Sequence, residues 1–343
     1  MKKLWLYIVR AYLRIGLFFY FRRLHIHNLK NIPKDKPVLL LSNHQNALLD
    51  ALLIATKSER FAYFLTRAAV FKKPLVSKLL NSLQMLPVYR VRDGWNTITN
   101  NNAIFETCSE LLNQKEAVVI FPEGSHNLAR RVRPLSKGFT RIVFDTLEKF
   151  PDTDLQIIPV GLNFMNATHF ADSAALYFGN PIQAKSFITE NRNDSVIALK
   201  KRIYSEISKL TTHIPTDDYD NMLRKLNALH VNYLEPKQVN ACIEENFNTC
   251  EQQSKSKINW LRQLLKVFLI VNILPPYIIW KFMVQSKIKE LEFTATFRFV
   301  VAITLVPLYL LIIAFVLSIL LSLKLAILYV LIVLLLSLIT VKL

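Results

Sequence analysis

Residues 37–50 read Pro-Val-Leu-Leu-Leu-Ser-Asn-His-Gln-Asn-Ala-Leu-Leu-Asp. The run Pro37–Leu41 is short, apolar and bounded by proline and polar residues, which is the pattern of a strand buried on both faces. A polar turn follows, and residues 46–57 read as a helix. The turn carries His44, and the helix carries Asp50. A histidine and a carboxylate at this separation can make a base and the group that orients it, although a surface histidine beside a helical aspartate is as good a reading of the pair alone.

The strand–helix alternation continues outward from this segment. Phe61–Thr66 reads as a strand, 75–84 as a helix, Leu86–Arg90 as a strand and 95–114 as a helix. Ala117–Phe121 reads as a strand, 137–149 as a helix, and Leu155–Leu162 and Ala175–Phe178 as further strands. A helix over 194–212 follows. Short β-rich runs separated by helix-length segments predict an α/β domain with a mostly parallel sheet flanked by helices. Ligands in such sheets gather beyond the C-terminal ends of the strands, where His44, Arg90 and Glu123 fall.

The two ends of the chain have a different character. Hydrophobic residues make up 52% of the 343, and the excess lies mostly after residue 267. Residues 1–23 begin with lysines and have an apolar middle, but Arg10 and Arg14 interrupt it and no small-residue cleavage site follows. On a helix, Lys3, Tyr7, Arg10 and Arg14 share one face, and Leu6, Val9, Leu13, Leu17 and Tyr20 lie largely on another. This pattern predicts a basic amphipathic helix lying at a membrane interface. Adjacent prolines at Pro275-Pro276 break the apolar segment 267–283, which predicts an interfacial or re-entrant piece. Residues 299–321 carry no charge and reach about 34 Å as a helix, enough to cross the hydrocarbon core. After Lys324 a second uncharged run, 325–341, completes a transmembrane hairpin. Lys281, Lys287, Lys289 and Arg298 precede the hairpin and Lys342 ends it, while Lys324 sits at the turn. The positive-inside rule then places the domain on the cytosolic side, at the inner membrane if the cell is bacterial.

The expected organisation is an N-terminal interfacial helix unit over 1–30, an α/β domain over 31–214 and a polar helical insertion over 215–262. An interfacial or re-entrant segment over 263–298 and the hairpin over 299–343 complete it. The net charge of +18 favours an anionic membrane and acidic substrates, because no zinc-finger, RNP-like or helix-turn-helix pattern accompanies it. Cys108, Cys242 and Cys250 have no CxxC spacing, so reduced thiols and no disulfide are expected.

Three more motifs follow the His44 segment in order. Pro87-Val88-Tyr89-Arg90 ends in an arginine, a residue suited to bidentate phosphate recognition. Phe121-Pro122-Glu123-Gly124-Ser125 closes an apolar strand; Gly124 permits a tight turn, and Glu123 is placed to bind a substrate hydroxyl or to order a basic neighbour. Ile158-Pro159-Val160-Gly161 is the third. Lys137-Gly138 opens a helix, where backbone N–H groups and a lysine can hold an anion, and Arg130, Arg131 and Arg133 add a local basic run. There is no Gly-x-Ser-x-Gly elbow and no cysteine near these motifs, so direct attack by a substrate hydroxyl, deprotonated by His44, is the simplest chemistry.

These four blocks, in this order over residues 37–180, resemble the glycerolipid acyltransferase family, which includes lysophosphatidic acid and glycerol-3-phosphate acyltransferases. The resemblance implies His44 and Asp50 as the catalytic pair, and Arg90, Glu123, Gly124, Ser125 and Lys137 as substrate-binding residues. It also implies acyl-CoA or acyl-carrier protein as donor, a glycerol-phosphate or lysophospholipid acceptor, and no metal or other cofactor. Ser125 stands where the family has threonine. His126 and Asn127 stand where an arginine often follows the third block. Five residues separate His44 from Asp50, against the family's commoner four. One added helical position turns a side chain by about 100°, so the extra residue is expected in the turn around Gln45 or Asn46. The five-residue form resembles a branch with fungal-type glycerol-3-phosphate and dihydroxyacetone-phosphate acyltransferases. The other readings are acylation of an aminolipid or another lysolipid, thioester hydrolysis, and a non-catalytic lipid-binding scaffold.

Overall fold

The computed structural model describes residues 2–89, 101–251 and 259–343. The chain opens with helix α1 (Lys2–Tyr20) and strand β1 (Arg23–His27). There follow β2 (Val38–Ser42), α2 (Ala47–Lys57), β3 (Ala62–Arg67), α3 (Pro74–Ser82), β4 (Met85–Val88), α4 (Asn101–Asn113) and β5 (Ala117–Ile120). Then come α5 (Gly138–Lys149), β6 (Gln156–Phe164), β7 (Ser173–Phe178), β8 (Ile182–Gln183) and α6 (Arg192–Leu210). The described strands form one sheet in the order β1-β7-β6-β2-β5-β3-β4, with β8 on β6. β7 and β8 run antiparallel to β6, and every other pairing is parallel. The mostly parallel α/β sheet read from the periodicity is therefore present. β1 lies inside the stretch 1–30 assigned to the N-terminal unit, yet it pairs with β7 and belongs to the sheet.

β2 sits at the centre, and its alternation divides the core. Val38 and Leu40 face a layer built with Leu17, Phe21, Leu53 and Phe299. Leu39 and Leu41 face the other layer, with Phe139, Ile142, Leu199 and Ile203. All four are at most 1% exposed, as a central strand covered on both faces requires.

The fourth motif is architectural. Gly161 pairs with Tyr177 across β6 and β7, and the end of α6 crosses directly over it. A Cβ there would lie 2.1 Å from the Leu210 carbonyl oxygen, and backbone cannot yield as a flexible side chain can. Gly161→Ala should therefore lower unfolding stability by at least about 2 kcal/mol, read from thermal melts of purified protein. A melt within error of wild type would refute this packing.

Beyond α6, helices α7 (Tyr219–Ala228) and α8 (Pro236–Glu244) enclose a small core of Leu226, Val231, Tyr233, Val239 and Cys242. Here one expectation is corrected: Cys242 and Cys250 form a disulfide. Asn246 and Phe247 adopt left-handed backbone after α8, the Phe247 N–H donates to the Cys242 carbonyl, and the chain turns back on itself. This brings the two Cα atoms to 4.9 Å, within disulfide range. Only Cys108 is a free thiol, buried between α4 and the sheet. The cysteines consequently supply no argument for a reducing compartment.

The C-terminal part contains α9 (Asn259–Asn272), the short α10 (Leu274–Ile278), a π-helical stretch over Ile279–Val284, α11 (Phe293–Leu320) and α12 (Leu323–Lys342). The prolines do break the chain, which bends by 103° between α9 and the segment that follows. α11 and α12 are each long and apolar enough to cross a membrane. They are not a separate appendage. Ala295 and Phe299, in the first turns of α11, are buried in the sheet's own core. The Tyr20 hydroxyl donates to the Ala295 carbonyl at 3.0 Å. Lys342, at the end of α12, donates to the Phe18 and Phe21 carbonyls at 2.8 Å each. α1 packs one face on this junction through Leu17 and Tyr20, and leaves Leu4, Ile8, Ile15 and Phe18 exposed.

Candidate active site

The central strand ends at Ser42, and the turn after it is pinned from two sides. The Asn43 side chain donates to the Leu162 carbonyl at 2.9 Å and accepts from the Leu162 N–H at 2.8 Å, joining the end of β2 to β6. The Asn46 side chain donates to the Ala167 carbonyl at 2.8 Å. Gln45 and Asn46 form a bend, and Ala47 takes a left-handed backbone (φ 41°) where α2 begins. The extra residue between His44 and Asp50 is absorbed in this bend, with Ala47 as the strained link. The helix beyond it places Asp50 back under His44.

His44 Nδ1 and Asp50 Oδ2 are 2.8 Å apart. The same carboxylate oxygen accepts the Asn46 backbone N–H at 2.7 Å. Asp50 is fully buried and the His44 side chain is 13% exposed. The imidazole stacks on Phe121 with ring centroids 4.1 Å apart, so its plane is set by the strand carrying the third motif. The Asn127 N–H donates to the His44 carbonyl at 3.0 Å. With Nδ1 engaged, Nε2 is the nitrogen left for a substrate proton. A carboxylate on Nδ1 selects the tautomer whose Nε2 is basic and stabilises the imidazolium that follows.

The third motif turns sharply at Gly124 (φ 73°), a backbone that glycine adopts without strain. Glu123 points inward and binds Arg133, whose Nε lies 2.7 Å from Glu123 Oε2. Arg133 Nη1 donates to the Ser125 hydroxyl at 2.8 Å, and Nη2 donates to the Ser125 carbonyl. Glu123 and Ser125 thus hold one arginine in place, and ordering a basic neighbour is the Glu123 role that the geometry displays. The Glu123 side chain is 3% exposed, and its Oε1 has no hydrogen-bond partner among the described residues. Burial pushes its carboxyl up to about 7, outweighing the opposing pull of Arg133.

The basic run divides by role. Arg130 spends its guanidinium on the Phe164 and Met165 carbonyls and lies 3.5 Å over the Tyr233 ring. It is a structural brace. Arg131 lies over Tyr219, and Arg133 alone of the three joins the third motif. Lys137 caps α5 from an exposed position, with no hydrogen bond to His44, Asp50 or the 121–125 turn among the described residues. The neighbouring Ser136 N–H binds the Pro122 carbonyl at 2.7 Å, so the start of α5 does abut that turn. Arg90 lies outside the described residues. β4, which leads to it, runs parallel to β3 in the same sheet as β2 and β5, so the second motif opens on the same edge as the first and third.

Sequence reasoning left His126 without a role. Its ring meets His44 edge-on at 5.6 Å, and its Nε2 is 3.0 Å from Glu290 Oε2. It also touches Phe293 at the root of α11, so this helix reaches to within one ring of His44. No local pattern marks a contact across 164 positions.

A buried carboxylate, an imidazole with one nitrogen making no hydrogen bond among the described residues, and an arginine held by Glu123 and Ser125 gather at the strand ends of a mostly parallel sheet, an arrangement suited to base-assisted chemistry on an anionic substrate. Comparison with known proteins gives the class. Residues 23–163 match the acyltransferase family model, a span that includes all four motifs. Glycerol-3-phosphate O-acyltransferase 1 of Saccharomyces cerevisiae is 25% identical over 130 residues, covering 36% of this chain and 17% of its own. A chloroplastic 1-acyl-sn-glycerol-3-phosphate acyltransferase of Brassica napus is 24% identical over 141 residues, covering 41% and 39%. The chain therefore spans well under half the length of these curated relatives. The crystal structure of the 1-acyl-sn-glycerophosphate acyltransferase PlsC from Thermotoga maritima covers 60% of this chain and 80% of its own, at 19% identity and a TM-score of 0.43. Residues 23–163 are thus similar to an acyltransferase domain, and relatives that match this stretch are named as glycerol-3-phosphate and 1-acyl-sn-glycerol-3-phosphate acyltransferases.

Proposed function

We propose that this protein is a membrane-bound O-acyltransferase of phospholipid synthesis. It moves a fatty acyl group from acyl-CoA or acyl-carrier protein to a hydroxyl of glycerol-3-phosphate or 1-acylglycerol-3-phosphate. The observation that carries the reading is the buried Asp50 behind His44 Nδ1, with Nε2 making no hydrogen bond among the described residues. His44 Nε2 takes the proton of the acceptor hydroxyl as its oxygen attacks the thioester carbonyl. The carbon–sulfur bond then breaks, and the imidazolium returns the proton to the departing thiolate. Asp50 stabilises the imidazolium throughout. Arg133, held by Glu123 and Ser125, binds the acceptor phosphate, together with Arg90. The family domain and the names of the relatives support this acceptor class, and the five-residue spacing between His44 and Asp50 favours the glycerol-3-phosphate side of it.

The domain boundaries follow as part of the proposal: a catalytic unit over 31–214, extended by β1, a small helical cap after it, and a membrane unit over 263–343 docked on the catalytic unit. Lys281, Lys287, Lys289, Arg298 and Lys342 all lie at the domain end of α11 and α12, and Lys324 at the far turn, which favours the cytosolic side for the site.

The test is a donor-by-acceptor screen on full-length protein purified in detergent, with products read by mass spectrometry. Acylation of a phosphate-bearing acceptor should exceed that of a matched acceptor without phosphate by roughly 100-fold in kcat/KM, from loss of charge-assisted bonds. Equal rates on the two would refute the acceptor assignment. Free fatty acid released without any acceptor would refute transfer.

A further inference from the structure

A cavity of about 570 Å³ opens between the C-terminal helices and the loop joining β6 to β7, outside the catalytic constellation. Its walls are those of an amphiphile site. Leu269 on α9, Ile273 at the break that follows it and Val306 on α11 make an apolar side, and Trp280 adds an aromatic face. Arg262, Lys266, Lys281 and Arg298 line it as well, and no carboxylate does among the described residues. Asp172 lies behind the wall within electrostatic reach of Arg262, and the cavity face itself keeps an excess of positive charge beside an apolar side, which is complementary to an anionic headgroup with its chains attached. Arg298 is fixed in the wall: its guanidinium donates to the Thr168 carbonyl at 3.0 Å and lies 5.1 Å from the centre of the Trp280 ring. Val301, Ala302 and Val306 of α11 and Thr340 of α12 lie in its wall, on the two helices long and apolar enough to cross a membrane, which gives a bilayer lipid a direct path to it.

We infer that this cavity is a binding site for an anionic two-chain phospholipid of the surrounding bilayer, its phosphate held by Arg262, Lys266, Lys281 and Arg298 and its chains against α9 and α11. The site adjoins the catalytic turn through one loop. Arg298 and Arg262 donate to the Thr168 and Ala171 carbonyls, and the neighbouring Ala167 carbonyl accepts from Asn46, beside His44. A lipid phosphate drawing on the two arginines therefore acts on the loop that anchors the base.

Binding is measured as retention of radiolabelled dioleoylphosphatidylglycerol by full-length protein in phosphatidylcholine bicelles. This lipid is neither acceptor nor product of the proposed reaction, so the result stands apart from the activity. Wild-type protein should hold it saturably, and unlabelled phosphatidylglycerol should compete where phosphatidylcholine and inorganic phosphate do not. Lys266 and Lys281 are exposed and can be changed without touching the core. The double variant Lys266→Gln/Lys281→Gln should weaken retention roughly 30-fold, from the usual contribution of a basic residue facing an anionic lipid. Arg133→Ala, which alters the catalytic side, should leave it unchanged. Equal retention by wild type and the double variant overturns the site. Competition by phosphatidylcholine reduces it to a non-selective crevice, and competition by inorganic phosphate to a simple anion site; either result overturns the proposal.

Discussion

Replacing His44 by alanine should lower acyl transfer by roughly 10³- to 10⁴-fold, the range for removing a positioned general base. The protein should still fold and enter membranes, because the ring is a surface-reaching group at the end of β2 and the core layers do not depend on it. Some stability is lost, since among the described residues buried Asp50 then retains the Asn46 N–H alone. The assay is therefore run on the monodisperse fraction after size exclusion, well below the midpoint of its melt. Asp50→Asn tests the other half of the pair. It preserves shape but removes the charge that selects the tautomer and stabilises the imidazolium, so kcat should fall by a similar order with little change in KM. Residues acting as a unit are strongly non-additive, so the double variant should be no slower than His44→Ala alone. A folded His44→Ala protein within tenfold of wild type would end the mechanism.

The second large effect is expected at Arg133. Arg133→Ala removes the aimed cation and strands Glu123, whose side chain is 3% exposed. The acceptor KM should rise roughly 100-fold, and stability should drop by about 2–3 kcal/mol, moderated because Arg133 itself is 21% exposed. Adding Glu123→Gln separates the two losses. The neutral amide restores stability because no buried charge is left unpaired, while KM stays high because the cation is still missing. Recovery of both would make Arg133 purely structural. Glu123 also gives the pair a pH signature. Its folded carboxyl titrates near 7, against 4.5 ordinarily. Between those values the folded protein holds a proton that the unfolded chain has released. Stability therefore falls as pH rises through that window, and the slope should flatten in Glu123→Gln.

The periodicity of the chain shows most of the scaffold because each central element has one burial environment. A strand covered on both faces must be apolar throughout, as Val38–Leu41 and Ala117–Ile120 are. The hairpin is equally legible, since two uncharged runs of spanning length have few alternatives. Short or peripheral elements lack that constraint. β1 reads Arg-Leu-His-Ile-His, and nothing local says that it pairs with a strand 150 residues later. The antiparallel sense of β7 depends on the short β6–β7 connection and on where β1 finds space, neither of which is a residue pattern.

The candidate site was legible as a set of motifs, and its wiring was not. The order of the blocks marks His44, Asp50, Glu123 and Ser125, because chemistry demands those residue types at strand ends. Among three neighbouring arginines, only folding distinguishes Arg130, spent on backbone carbonyls, from Arg133, aimed across the Glu123 turn. The Cys242–Cys250 bond has the same origin, as two left-handed residues turn a helix end back on itself.

By itself, then, the sequence determined the α/β class, the ordered motifs and the two apolar C-terminal helices of spanning length, because local hydrophobic period and residue chemistry encode them. Only the tertiary structure decided that α11 is rooted in the core of the α/β sheet, that His126 stands between His44 and Glu290 beside the root of α11, and that four scattered cations line one partly apolar cavity. Each of these joins residues tens to hundreds of positions apart. Such contacts arise from packing whole elements against one another, and no window of neighbouring residues contains them.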